Sequence, residues 1–117
     1  MSGGSIIKMK TLRIEVYGRV QGVNFRNNVK AFCDSWEIRG NVSNRDDGSV
    51  LIITQAMPER LKDLEEWIVK SPGFSKVEKI KKKEINIEIK YHSFQIVKEY
   101  NYFKDKEIAL WNLIRKL

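Results

Sequence analysis

The sequence predicts an α+β fold, a split β-α-β sandwich in which an antiparallel sheet of four to five strands carries two helices on one face, followed by a C-terminal helical extension. Three observations predict it. Apolar residues alternate with polar ones at period two in the strand segments, they recur every three and four residues in two segments between them, and an Asp-Gly turn joins the middle strands. At 117 residues the chain is long enough for one core and one compact domain.

Residues 1–10 open on Ser2-Gly3-Gly4-Ser5, which has nothing to pack, and are expected to form a flexible lead. From Thr11 to Gly18, Leu12, Ile14 and Val16 alternate with Arg13, Glu15 and Tyr17, the pattern of a half-buried strand. A glycine-bearing loop, Gly18 to Val23, follows. Val29, Phe32, Cys33 and Trp36 fall at i, i+3, i+4 and i+7, which places a helix over Phe25 to Trp36 with Trp36 on its core side. Ile38 to Ser43 and Ser49 to Thr54 read as an antiparallel pair around Asn44-Arg45-Asp46-Asp47-Gly48. Pro58 suits a first helical turn, Glu59 favours the positive helix start, and Leu61, Leu64, Trp67 and Ile68 give the second helix its buried side. Ser71-Pro72-Gly73 stops it. Val77, Ile80, Ile85, Ile87 and Ile89 then suggest extended structure, and Phe94 to Val97 a closing strand. The resulting β-α-β-β-α-β order over residues 11–98 is that of the ferredoxin-like split β-α-β arrangement. In residues 99–117, Ile108, Trp111, Ile114 and Leu117 recur every three positions and predict a helix.

Composition excludes several function classes. One cysteine, Cys33, forms no internal disulfide, and Cys33 with the single His92 cannot build a two-Cys, two-His zinc site, so no metal and no cofactor are expected. Cys33 lies on the apolar side of the first helix and reads as a small buried hydrophobe rather than a nucleophile. The longest aliphatic run, Val50 to Ile53, is far short of the roughly 20 residues of a membrane-spanning helix. The first residues do not have the form of a signal peptide, and a cytoplasmic protein is expected. The net charge of +7 invites an anionic partner, yet residues 1–75 hold 11 basic and 9 acidic residues (net +2) and residues 76–117 hold 11 and 6 (net +5). Most of the surplus, including Lys79, Lys81 and Lys83, reads as a solvated strand face.

The loop after the first strand carries the chemistry. A strand-to-helix loop aims successive backbone N–H groups at one spot, and the helix start adds about half a positive charge there. Gly18 and Gly22 permit close backbone approach, and Arg26 in the first helical turn offers a planar guanidinium suited to phosphate oxygens. Glycine and one arginine are common in such turns and do not by themselves decide for phosphate.

The whole run is more specific. Gly18-Arg19-Val20-Gln21-Gly22-Val23-Asn24-Phe25-Arg26, followed by Gly40, Val42, Asn44, the Asp47-Gly48 turn and the closing Phe94-Gln95-Ile96, closely resembles the acylphosphatase signature over about 85 residues, Arg13 to Val97. The resemblance implies a small monomeric enzyme that hydrolyses the carboxyl–phosphate bond of acyl phosphates, small-molecule substrates, without a metal. Arg26 matches the family's catalytic arginine and would bind phosphate with backbone N–H groups of Gln21, Gly22, Val23, Asn24, Phe25 and Arg26. Asn44 matches the catalytic asparagine and would orient the attacking water. Three positions depart from the pattern: Asn41 where the family often has tryptophan, Ala56 where glycine is common, and Asn24 at a variable position. Asn41 stands three residues before Asn44 and bears on how Asn44 is held.

The rival class is a non-catalytic RNA-binding or phosphate-binding module of the same fold. RNA platforms of this architecture display aromatics on their central strands, and here Arg13 to Tyr17 and Leu51 to Thr54 offer only Tyr17, so nucleic acid is not the expected partner. Asp46 and Asp47 read as turn residues before Gly48, His92 as a surface residue, and Trp36 and Trp67 as core residues of the helices.

Overall fold

The computed structural model describes residues 8–98. The chain runs β1 (Lys10–Arg19), α1 (Phe25–Ser35), β2 (Arg39–Asn44), β3 (Val50–Ala56), α2 (Pro58–Val69), β4 (Lys76–Ile85) and β5 (Phe94–Ile96). The five strands form one sheet in the order β4-β1-β3-β2-β5. β1 begins at Lys10, so the last residue of the expected lead is already paired, opposite Ala56. Most of that lead and the predicted helix of the extension, with Ile108 and Trp111, lie outside the described residues.

The alternation read in β1 is realised on both faces of the sheet. Ile14 and Val16 of β1, Val42 of β2, and Val50 and Ile52 of β3 bury against Phe25, Val29 and Cys33 of α1 and Leu61, Leu64 and Ile68 of α2. Both helices therefore lie on one face. Each fully buried aliphatic side chain there contributes about 2 kcal/mol. β3 is buried along its whole length because it is central and covered on both sides. Leu51 and Ile53, pointing away from the helices, join Ile85, Tyr91 and Val97 in a second cluster, with Ile87 and Ile89 packed against it.

That second cluster accounts for two differences from the sequence reading. Ile87 and Ile89 alternate as a strand would, yet residues 86–93 form no strand. They lead across the second face, from the β4 edge to the β5 edge. Gln55 holds them: its Nε2 donates to the Ile89 carbonyl at 2.7 Å and its Oε1 accepts from the Tyr91 N–H at 2.9 Å. The sheet is also mixed rather than wholly antiparallel, since β5 runs parallel to β2, Val42 pairing with Ile96. β4 ends at Ile85 opposite Thr11, at the starting end of β1, and β5 begins at Phe94 opposite Gly40, at the starting end of β2. A short connection between those two points reverses the chain, so β5 runs in the direction of β1 and β2.

Trp36 is a further correction. It is 41% exposed rather than a core residue, because α1 ends at Ser35 and Trp36, at its C-cap with φ −108°, has left the helical face. It stacks on Phe32 with ring centroids 5.8 Å apart and carries the Arg60 guanidinium 4.9 Å above its ring. Trp67 is half-buried, stacked on Phe32 at 4.6 Å. Cys33 is fully buried and free, and burial together with Asp34 holds its thiol well above the ordinary range. His92 is exposed, as read.

Candidate active site

β1, β2 and β5 run in one direction, and their C-terminal ends meet the loop 20–24 and the start of α1. Gly18 begins this end. Its φ is 126°, it sits where the β1–β4 register shifts after Tyr17, and a Cβ there would lie 2.1 Å from the Lys76 carbonyl oxygen, so only glycine fits. The loop then passes through left-handed residues at Gly22 (φ 74°) and Asn24 (φ 64°), and such reversals turn successive N–H groups toward a concave side.

Asn24 occupies the N-cap of α1 but makes no capping hydrogen bond, its Oδ1 instead accepting from Asn27 Nδ2 at 2.6 Å. The first intrahelical bond is Asn28 N–H to the Asn24 carbonyl at 3.1 Å. The N–H groups of Phe25, Arg26 and Asn27 are therefore the free donors of the first turn, and no acidic residue stands there to neutralise them.

These groups border a cleft of about 420 Å³ lined by Val20, Gly22, Asn24, Phe25, Arg26, Asn27, Asn44, Ile96 and Lys98. The structure thus brings together Arg26 and Asn44, eighteen residues apart in sequence. Arg26 is half-buried and forms no hydrogen bond or ion pair with any described residue. Asn44 Oδ1 is shielded from solvent and has no hydrogen-bond partner among the described residues. Among the described residues, two cations and no carboxylate line the cleft, so their field favours an anion.

Of the expected loop residues, Gly22, Asn24, Phe25 and Arg26 line the cleft, whereas Gln21 and Val23 do not. Val23 packs against the core. Gln21 acts as a tether: its Nε2 donates to the carbonyls of Arg45 and Ser49, each at 2.8 Å, and ties the loop to the turn that follows Asn44.

On the opposite face, the residue after Asn44 is enclosed by partners. Arg45 donates to Glu15 Oε2 at 2.6 Å, to Tyr17 Oη at 3.0 Å and, through Nε, to Ser49 Oγ at 2.8 Å. Glu15 also accepts from Tyr17 Oη at 2.6 Å and pairs with Arg13. Burial works to raise the Glu15 carboxyl, but hydrogen bonds from Tyr17, Arg45 and Arg13 outweigh it and lower it from 4.5 to about 2. The hydrogen bond to Glu15, together with burial, in turn raises the Tyr17 hydroxyl above its ordinary value. Asp47 accepts from the Ser49 hydroxyl and, at 2.9 Å, from the Ser49 N–H, the turn role expected of it, and these two bonds lower its carboxyl. The sequence marked Arg13, Glu15 and Tyr17 only as the polar side of β1; their assembly around Arg45 depends on strand register. Lys98 and Ile96 were missed for the same reason, since only the parallel β2–β5 pairing carries them to the cleft.

The Acylphosphatase family model matches residues 12–96, most of the chain. The chain belongs to the acylphosphatase family. It is 45% identical over 76 residues to an acylphosphatase of Bacillus licheniformis, covering 65% of this chain and 84% of that one. An acylphosphatase of Helicobacter hepaticus is 39% identical over 88 residues, 71% of this chain and 92% of its own. The crystal structure of acylphosphatase from Bacillus subtilis superposes with a TM-score of 0.73 at 38% identity, covering 76% of this chain and 99% of that one.

Within this acylphosphatase fold, Asn41 replaces the expected tryptophan at a site 2% exposed, between Ile53 and Gln95, and its Oδ1 has no partner among the described residues. It is a cost in stability near Asn44. Among the described residues no three His, Cys, Asp or Glu side chains cluster as metal ligands, and no helix is long and apolar enough to cross a membrane.

Proposed function

We propose that this acylphosphatase hydrolyses acyl phosphates by direct attack of water on phosphorus. The phosphoryl oxygens lie against Arg26 and the N–H groups of the loop and first helical turn, and Asn44 orients the water through its side-chain amide. Water forms the new P–O bond, the bond from phosphorus to the carboxyl oxygen breaks, and the carboxylate departs with the electron pair. Its conjugate acid has a pKa near 4, so it leaves without a general acid, and the protons of the attacking water pass to phosphate and solvent. Charge in a loose phosphoryl-transfer transition state is spread over oxygens that preorganised donors can hold.

One observation carries the reading: Arg26 and Asn44, both without protein partners among the described residues, share an anion-favouring cleft at an uncapped helix start. The alternative of an RNA platform is less well supported, because residues 86–93 cover the central part of the sheet face that such platforms use. The site is contained in one chain, which supports a monomer, and the free buried Cys33 suits a reducing, cytoplasmic setting. The test is release of phosphate from acetyl phosphate by purified protein in the presence of a chelator. Turnover is expected; folded protein inert on several acyl phosphates would sink the proposal.

A further inference from the structure

We propose that Lys98 binds a second anionic group on the acyl side of the substrate, so that the preferred acyl phosphates are those whose acyl chain carries a carboxylate or phosphate of its own. The inference rests on the proposed acyl phosphate chemistry and specifies its substrate class.

Lys98 lines the same cleft as Arg26 and Asn44. It stands two residues beyond Ile96, as Asn44 stands two residues beyond Val42, and Val42 and Ile96 are paired across neighbouring parallel strands. The backbone there is fixed: the Val97 N–H donates to the Val42 carbonyl at 2.9 Å, and Val97 is 2% exposed in the second cluster. Lys98 itself is exposed and has no ion-pair or hydrogen-bond partner among the described residues.

Charge and size then separate its role from that of Arg26. Arg26 sits in the first turn of α1 beside the free N–H groups, the place for the phosphoryl group. Lys98 lines the cleft from just beyond β5, two residues after the apolar Ile96, which also lines it, and so belongs to a different element from Arg26. A cleft of about 420 Å³ falls in the roughly 300–1,000 Å³ range of small-molecule sites, which leaves room for an acyl chain as well as a phosphoryl group. An acyl chain running from the phosphoryl group at Arg26 toward the end of β5 meets the apolar Ile96 and the Lys98 ammonium, and a negative end group satisfies that cation.

The experiment compares kcat/KM for succinyl phosphate and butyryl phosphate, which differ by a carboxylate in place of a methyl group. Wild-type protein is expected to favour succinyl phosphate by about fivefold, the factor that an exposed ion pair of about 1 kcal/mol supplies. Lys98→Met should bring the ratio to about one, Lys98→Arg should retain the preference, and added salt should shrink it in wild type. A wild-type ratio near one, or a Lys98→Met variant that loses both substrates equally, overturns the inference while leaving acyl phosphate hydrolysis standing. Failure to hydrolyse either substrate, or acetyl phosphate, overturns both.

Discussion

Asn44 and Arg45 are neighbours in sequence and opposites in environment. Asn44 ends β2 and lines the cleft, while Arg45, the first residue beyond the strand, reaches Glu15 and Tyr17 of β1. Asn44 joins Arg26 in a cleft where neither has a protein partner among the described residues, whereas Arg45 donates to Glu15, Tyr17 and Ser49. Two arginines, Arg26 and Arg45, thus do different work because one is saturated and the other is not. A group meant to bind a transient anion has to be left free and held in place by others, and Gln21, bonded to the Arg45 and Ser49 carbonyls, links the free side to the saturated one.

Substitutions that empty the cleft should have the largest effects. Arg26→Ala is expected to lower kcat/KM for acetyl phosphate by a thousandfold or more (over about 4 kcal/mol), since it removes charge and geometry together. Its melting temperature should stay near wild type, because Arg26 makes no bond within the described structure. Steady-state kinetics and a thermal melt on the same sample check both halves, and a large fall in melting temperature would erase the distinction between free and saturated arginines. Asn44→Ala should come next, losing about a hundredfold, on the order of 3 kcal/mol, mainly in kcat if it positions water rather than substrate.

The saturated side should respond in stability instead. The Glu15 carboxyl is lowered from 4.5 to about 2 in the fold, so its contribution is complete above pH 4.5 and is lost as pH falls from there toward 2. The full span corresponds to about 3 kcal/mol. Urea unfolding of wild type between pH 5 and 2.5 should show that decline, and Glu15→Gln, already destabilised at neutral pH, should show a flatter one. The smallest effect is expected from the link: Gln21→Ala removes two side-chain hydrogen bonds, should cost about 1 kcal/mol of stability and should slow turnover by about tenfold as the loop loosens. A Gln21→Ala enzyme with unchanged kcat would show that the loop holds its shape without the tether.

Much of this was legible from residues alone. The period-two alternation of Leu12, Ile14 and Val16, the helical spacing of Leu61, Leu64 and Ile68, and the Asp47-Gly48 turn are local signals, and local signals report local structure. The loop from Gly18 to Arg26, with Asn44 eighteen positions later, is legible as a family signature, and the glycine it requires at φ 126° and its uncapped helix start are the local geometry behind the proposed phosphate site. Trp36 was misread because the helical spacing that seats Val29 and Cys33 in the core no longer applies once α1 ends at Ser35.

Sequence by itself therefore determined the order of elements, the apolar face of each and the family signature of the loop proposed to bind phosphate. Tertiary structure decided the rest. The parallel placement of β5 beside β2, the cover that Ile87, Ile89 and Tyr91 form over the second face, the enclosure of Arg45 by Glu15 and Tyr17, and the arrival of Lys98 in the cleft all depend on strand register between distant segments. Periodicity along the chain tells a strand which side to bury, but which strand it lies beside is settled by how the whole sheet covers its two faces.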